Sequence, residues 1–304
     1  MNEGPYERVD AGNEGAVDSA LAIAAETGDE KESPEILYLN LVKKCLTRLL
    51  FPEQYQLILS PQSRVYRIAW RYAQSLLARL QLDIVTTRPV DPKERQEGLD
   101  CPASAETMIG LKRLDNLQKC IVDILYHGVP GDLIETGVWR GGAAIFMRAV
   151  LKAYGDEQRH IWLADSFQGL PKPDAKKYPA DARDTLWQVA RLAVPVEEVK
   201  ENFRRYGLLD ERVHFLVGWF RDTLPTAPMQ RLAILRLDGD MYESTMDALT
   251  HLYPKLSPGG YVIIDDFALP NCRAAVEDFR AQHHIAENLV AIDHFAKFWQ
   301  RLAS

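Results

Sequence analysis

From about residue 104 the chain falls into a regular alternation of apolar runs and amphipathic stretches. Apolar runs of strand length occur at DLIET (132–136), IWLAD (161–165), VHFLV (213–217), LAILRLD (232–238) and YVIID (261–265). Between them lie AAIFMRAVLKAY, PVEEVKENFRRYG, YESTMDALTHLYPKL and CRAAVEDFRAQH, with apolar residues three and four apart. Pro195 opens the second of these stretches and Gly207 closes it, as helix start and stop signals do. Ahead of the first run, TMIGLKRLDNLQKCIVDILYHG places Leu114, Leu117, Ile121, Ile124 and Leu125 on one helical face, with Gly128 just past the end. Continuously apolar strands alternating with helices predict an α/β, doubly wound, mainly parallel sheet covered on both faces. LVAI and HFAKFWQR at the end of the chain bring the count to seven strands, the last expected to be antiparallel.

The N-terminal part reads differently. Residues 1–33 hold Gly, Glu, Asp and Ala with almost no large apolar side chains, and the expectation is a disordered acidic tail. Residues 34–103 are expected to form a helical extension with a lid or linker. In it, SPEILYLNLVKKCLTRLL (34–51 after its capping Ser33) has helical periodicity and must pack on something. PQSRVYRIAWRYAQSLLARLQLDI (61–84) is a basic amphipathic helix, and its cationic side is expected to be a solvated face over the main domain or a dimer partner. TTRPVDPKERQEGLDCPA (86–103) is polar, broken by prolines, and reads as a linker or lid. Residues 104–304 form the third region, the main domain.

Composition narrows the class. With 47% hydrophobic and 26% charged residues the chain is that of an ordinary globular protein, and a formal net charge of −7 argues against a nucleic-acid backbone as its main partner. No secretory signal or membrane span is read, and the four cysteines lack the pairing of a zinc site or disulfide scaffold. A cytoplasmic protein with reduced thiols is expected.

Chemistry in such a sheet gathers beyond the carboxyl ends of the strands, and here nearly every strand ends in a carboxylate: Glu135, Asp165, Asp238, Asp265 and Asp266. Any one of these could be a turn residue; five along one rim predict a site. Glu135-Thr136-Gly137 opens the fold, and Gly137, Gly141 and Gly142 let the backbone approach a ligand at a helix N-terminus. The GxGxxG of dinucleotide sites is missing, which disfavours a nicotinamide oxidoreductase. Asp165-Ser166 stands where an acidic side chain accepts the hydroxyls of a ribose, so S-adenosylmethionine fits better than NAD. Gly218 permits close approach, and Trp219 or Phe220 is a candidate to stack on adenine. Asp238 and the Asp265-Asp266 pair end strands expected to be neighbours; three oxygen-only ligands suit Mg²⁺. The alternative is that Asp266 caps the next helix and Asp238 bonds to a loop.

DLIETGVWRGGAAIFMRAVLKAYG, ADSFQGLPKPD, VKENFRRYGLLDERVHFLVGWFRDTLP, LRLDGDMYESTMDALTHLYPKLSPGGYVIIDDF and ETMIGLKRLDNLQ resemble the macrocin O-methyltransferase family, from about residue 86 to the C-terminus. The resemblance implies a class I methyltransferase (Rossmann-like) fold, S-adenosylmethionine as donor, Mg²⁺, and methylation of a hydroxyl on a deoxysugar of a glycosylated natural product. It places the cofactor motif on Glu135, Thr136, Gly137, Arg140 and Gly141, the ribose motif on Asp165 and Ser166, and the metal site on Asp238, Asp265 and Asp266. The TMIG segment looks like part of a lid, with Thr107 and Met108 at the cofactor. Asp238 is the candidate catalytic residue, as ligand and proton acceptor. His251, His283, His284 and His294 are given no role, and Lys112 and Arg113 are expected on a solvated helix face. A small glycoside substrate and a homodimer are expected, with neither nucleic acid nor membrane as partner. A phenolic or catechol-type acceptor, and a non-catalytic cofactor-binding protein, are the competing readings.

Overall fold

Ser33 and Pro34 start the first helix as the sequence predicts: the Ser33 hydroxyl accepts the Ile36 N–H at 3.4 Å, and Pro34 takes the first helical position. This helix, α1 (Pro34–Leu46), stops short of residue 51 because Arg48 turns into the left-handed region (φ 56°) and the Arg95 guanidinium takes the Thr47 carbonyl at 2.6 Å. The computed structural model describes residues 33–51, 55–57, 85–87, 91–100, 102 and 104–302, with isolated positions 73 and 77. The tail expected over 1–33, save Ser33, and the basic helix expected over 61–84, save those two positions, lie outside the described residues.

Two short strands, β1 (Tyr55–Leu57) and β2 (Val85–Thr87), pair antiparallel. Within the stretch read as a linker the structure has a helix, α2 (Pro92–Glu97). Its signals are compressed into a single turn and a half: Asp91 caps it by accepting the Lys93 N–H, and Gly98 ends it at φ 73°. Arg95 and Asp100 are both buried and paired at 2.8 Å.

The main sheet follows the predicted alternation. After α3 (Leu111–Tyr126) come β3 (Asp132–Thr136), α4 (Gly142–Ala153), β4 (Ile161–Asp165), α5 (Val196–Arg205), β5 (Val213–Val217), the short α6 (Phe220–Thr223), β6 (Leu232–Leu237), α7 (Tyr242–Leu252), β7 (Leu256–Ile264), α8 (Pro270–Gln282), β8 (Val290–Ala291) and β9 (Lys297–Gln300). The strand order is β5-β4-β3-β6-β7-β9-β8, with β9 antiparallel to both neighbours and the five strands from β5 to β7 parallel. The chain therefore builds outward from β3 in one direction, then returns to build from β6 in the other.

Side-chain alternation assigns the two faces. Leu133, Ile234, Tyr261 and Ile263 join α3, α4 and α5 on one side; Ile134, Leu235, Leu237, Val262 and Ile264 join α7 and α8 on the other. The first helix covers α4 through Leu39, Val42 and Leu46, leaving α4 buried on both sides. β6 carries one residue, Ala233, that has no partner on either side: Leu232 pairs with Asp132 and Leu256, and Ile234 with Leu133 and Tyr261. Glycines flank this bulge. A Cβ on Gly131 would lie 2.6 Å from the Leu232 carbonyl carbon, and one on Gly260 would lie 2.8 Å from the Ala233 carbonyl oxygen.

Candidate active site

The rim residues are held level by backbone bonds between adjacent strand ends. Gly137 N–H donates to Ala164 O at 2.9 Å, Asp238 N–H to Thr136 O at 2.8 Å, Asp265 N–H to Leu237 O at 2.8 Å, and Gly218 N–H to Asp165 O at 2.9 Å. At the switch between β3 and β6 the chain crosses itself so closely that a Cβ on Gly137 (φ 87°) would fall 1.6 Å from the Asp238 carbonyl oxygen. Only glycine fits there.

Two cavities open at this switch point. The first, about 730 Å³, is lined by Met108, Gly137, Asp165, Ser166, Trp219, Phe220 and Asp238 among the expected residues, and by Glu243, Ser244 and Asp247. The second, about 1200 Å³, is lined by Thr107, Met108, Glu135, Asp238, Asp265 and Asp266, with Leu99, Leu186, Val189 and Phe295. Met108, Val138, Trp139, Leu192, Asp238 and Asp240 belong to both, so these residues form the partition. Of the four histidines singled out, His294 lines the second cavity. Thr136, Arg140, Gly141 and Gly218 line neither. Thr136 is buried; Arg140 donates to Ala105 O at 3.2 Å and lies 3.5 Å from Glu198; Gly141 (φ 88°) brings α4 against Val199 and Phe203 of α5. Their place is behind the rim rather than on it.

In the first cavity, Asp165 receives the N–H groups of Val138 and Phe167, both at 2.7 Å, one on each oxygen. The Trp139 N–H and the Ser166 hydroxyl, 3.5 Å from Oδ1, also turn toward this carboxylate. Burial raises this carboxyl above its ordinary value, and the Val138 and Phe167 N–H groups pull it back. Ser166 donates to Gly169 O at 2.7 Å and accepts from Gln168 N–H at 3.0 Å. Trp219 and Phe220 sit at the start of α6, where Gly239 leaves room for the Phe220 ring.

The second cavity ends in an acid cluster. Asp238, Asp265 and Asp266 each present an oxygen within 4.8 Å of the others. Beneath them is Arg236, 2% exposed, which donates to Glu135 at 2.5 Å, to Asp238 Oδ2 at 2.8 Å and to Asp265 Oδ1 at 2.6 Å. Strand register explains the convergence: Arg236 pairs with Glu135 on one side and Ile263 on the other, and alternation turns Glu135, Arg236 and Asp265 to the same face. Asp266 Oδ2 accepts the Asp240 N–H at 3.0 Å, so it fixes the turn after β6; α8 is capped at Leu269 instead. Arg113 overturns the expectation of a solvated face. It is nearly buried, donates to Asp265 Oδ2 at 2.6 Å and to Asp293 Oδ2 at 2.7 Å, and lies over the Phe295 ring.

Charge in the cluster is unbalanced. Glu135, Asp238, Asp240, Asp265, Asp266 and Asp293 face two guanidiniums, Arg113 and Arg236. Burial, followed by mutual repulsion, pushes Asp266 well up; burial and then Asp265 push Asp238 up to about 6. Burial raises Glu135 to about 8 against the pull of Arg236, and burial with Asp238 raises Asp240 to about 8. An oxygen-only donor set with excess negative charge fits a hard divalent cation, which would relieve the repulsion. Asp238 Oδ1 and Asp266 Oδ1 have no side-chain partner among the described residues, and Asp265 is engaged at both oxygens by Arg236 and Arg113.

Asp240, Arg236 and Trp139 escaped the sequence reading. Asp240 lines both cavities at φ 58°, a conformation seldom held by a residue with a side chain. Its signal was the LDGDM spacing, two residues past Asp238; that of Arg236 was a lone charge inside the otherwise apolar LAILRL.

The model of the macrocin O-methyltransferase (TylF) family matches residues 35–301. Among characterised relatives, the 8-demethyl-8-(2,3-dimethoxy-alpha-L-rhamnosyl)-tetracenomycin-C 4'-O-methyltransferase of Streptomyces olivaceus is 48% identical over 274 residues, 90% of this chain and 95% of that protein. The mycinamicin III 3''-O-methyltransferase of Micromonospora griseorubida is 52% identical over 72% of this chain and 88% of its own. The demethyldecarbamoylnovobiocin O-methyltransferase of Streptomyces niveus is 45% identical over 92% and 99%. The solved O-methyltransferase NovP superposes with a TM-score of 0.75 at 46% identity, covering 88% of this chain and all of that one. With the class I O-methyltransferase sheet in place and this match along nearly its whole described length, the chain is a member of the macrocin O-methyltransferase family.

Proposed function

We propose that the protein methylates a sugar hydroxyl of a glycosylated natural product, using S-adenosylmethionine in the first cavity and a Mg²⁺ ion held by Asp238, Asp265 and Asp266. The observation that carries this reading is the acid triad in the second cavity, which reaches the partition with the first at Asp238. When bound, the donor supplies a sulfonium methyl group and the cation supplies positive charge beside the acceptor hydroxyl.

The chain's own residues do the rest. Asp165 accepts the ribose hydroxyls, Trp219 and Phe220 hold the adenine, and Met108 closes the donor side. Asp240 is assigned the hydroxyl proton in place of Asp238. Both residues line both cavities, but Asp238 is tied by Arg236, whereas Asp240 is held through its backbone N–H by Asp266. Arg236 and Arg113 hold the triad in register, which limits the orientations the acceptor has to sample.

Charge selects among acceptors. The second cavity presents Glu135 and the four aspartates, with Glu106 paired to Arg48; of its arginines, Arg113 and Arg236 are spent on carboxylates, and Arg191 is exposed. That acid-rich lining disfavours an acceptor carrying a diphosphate and favours a glycoside, as in the rhamnosyl-bearing name of the Streptomyces olivaceus relative. A phenolic acceptor is the second reading, supported by Met108, Trp139 and Phe295 in the same wall. A methyl-transfer screen over glycosides and phenols, with Mg²⁺ or with EDTA, separates them by mass gain on the acceptor. Transfer that persists in EDTA would remove the metal from the mechanism, and transfer to phenols alone would replace the acceptor class.

A further inference from the structure

Between β4 and α5 the chain runs from Ser166 to Pro195 through three single 3₁₀ turns, Pro179–Asp181, Leu186–Gln188 and Ala190–Leu192. This segment is tied down at one end by a hydrogen-bond relay. Asp181 is fully buried, and its two oxygens take the N–H groups of Tyr242 (2.7 Å) and Glu243 (2.9 Å) in the first turn of α7. Met241 at the cap position of that helix provides no side-chain bond, so Asp181 supplies the cap from sixty-odd residues away. Asn271, in the first turn of α8, donates to both Asp181 Oδ1 (3.1 Å) and Asp184 Oδ2 (3.3 Å). Asp184 Oδ1 in turn accepts the Leu186 N–H at 2.8 Å and so opens the turn 186–188. At the other end, the Trp139 indole donates to Arg191 O at 2.9 Å. Between these ties Leu186, Val189 and Leu192 face the second cavity, and Leu192 the first as well.

The second cavity is therefore lined by two kinds of surface. Asp238, Asp240, Asp265 and Asp266 match a sugar's hydroxyls, and Leu186, Val189 and Leu99 match apolar surface. We propose that Asp184 and Asn271 are positioning residues that fix the strap 186–192 as the wall receiving the hydrophobic body to which the sugar is attached. They set affinity by aglycone and leave methyl transfer itself unchanged. This rests on the sugar-methyltransferase reading above.

Asn271→Ala and Asn271→Leu cut the tie between Asp184 and the Asp181 end of the relay, while leaving Asp181 on the helix N–H groups and the charge of Asp184, which acts on Asp240, in place. The probes are p-nitrophenyl α-L-rhamnoside and methyl α-L-rhamnoside, with S-adenosylmethionine and Mg²⁺. For the aryl glycoside KM rises about tenfold in each variant, the scale of a lost apolar contact, with kcat within about twofold. For the methyl glycoside kcat/KM stays within about twofold, and calorimetric affinity for S-adenosylmethionine is unchanged. Without any acceptor, trypsin cuts several-fold faster after Arg191, exposed on the strap. Equal losses on both glycosides, a fall in kcat at constant KM, or unchanged tryptic cleavage overturns the proposal. Turnover of neither glycoside by the unaltered enzyme counts against the sugar reading instead; cleavage rates then decide the strap alone, and equal rates reject it.

Discussion

Arg236→Met removes the one cation among the described residues that touches Glu135, Asp238 and Asp265 at once, while roughly keeping side-chain volume. Glu135 and Asp265 are 2% and 5% exposed, so they are left as buried carboxylates with Arg113 alone nearby, on Asp265. Stripping the partner from a buried ion pair costs about 3–5 kcal/mol. At roughly 2 °C per kcal/mol for a chain of this size, the melting temperature falls by about 6–10 °C. The pH dependence carries a sign. Glu135 is raised to about 8 in the folded protein, above the ordinary glutamate value, so the folded state holds a proton that the unfolded state releases. Stability from this group is full at low pH and is lost as pH rises through about 8. Without Arg236 the carboxyl climbs further, because the guanidinium was its largest downward influence. The deficit of the variant is therefore largest near pH 8.5 and smaller near pH 5.5, where the orphaned carboxylates take up protons. Differential scanning fluorimetry of both proteins in EDTA at the two pH values measures it. A deficit below about 2 °C at pH 8.5, or one that widens toward acid, would refute the account of Arg236 as the clamp of the cluster.

Asp240→Asn keeps a residue type that tolerates left-handed backbone but removes the proton acceptor; kcat should drop by about 10²–10⁴ with S-adenosylmethionine affinity unchanged, and a drop below tenfold would return the role to Asp238. Asp266→Asn and Asp238→Ala should each weaken Mn²⁺ binding followed by electron paramagnetic resonance, and unchanged binding in both would dissolve the proposed metal site. Gly137→Ala drives a methyl group into the Asp238 carbonyl and should yield little soluble protein; a folded variant with wild-type melting would show that the β3–β6 crossing relaxes.

What could be read from the sequence followed from burial. Strands covered on both faces are continuous apolar runs, so β3 to β7 and the carboxylates ending them stood out, as did their convergence once β6 and β7 were expected to be neighbours. What could not be read depended on register or on distance. Arg236 in LAILRL has no visible partner until the sheet is aligned. Arg113 sits on a helix of mixed polar positions, and one of its partners, Asp293, is 180 residues further on. The segment 179–192 has turns too short for periodicity, and α2 and the three-residue strands β1 and β2 are likewise below the length at which a pattern repeats.

The unpaired Ala233 low on β6 has a consequence for the length of that strand. Ala233 and Ile234 both pack in the cluster on the α3–α5 side while Leu232 packs in the other, so the extra residue is absorbed where it occurs and the alternation above it runs on as if it were not there. Arg236 keeps Glu135 and Ile263 as its neighbours in a count that skips Ala233. Deleting that alanine, which lines neither cavity, would straighten the lower part of β6 and leave the guanidinium under the acid cluster, whereas one residue inserted between Ile234 and Arg236 would turn the guanidinium to the α7 side. The bulge thus divides β6 into a lower part whose length can vary and an upper part in which a frame of one residue belongs to the active site as much as any charge on its rim.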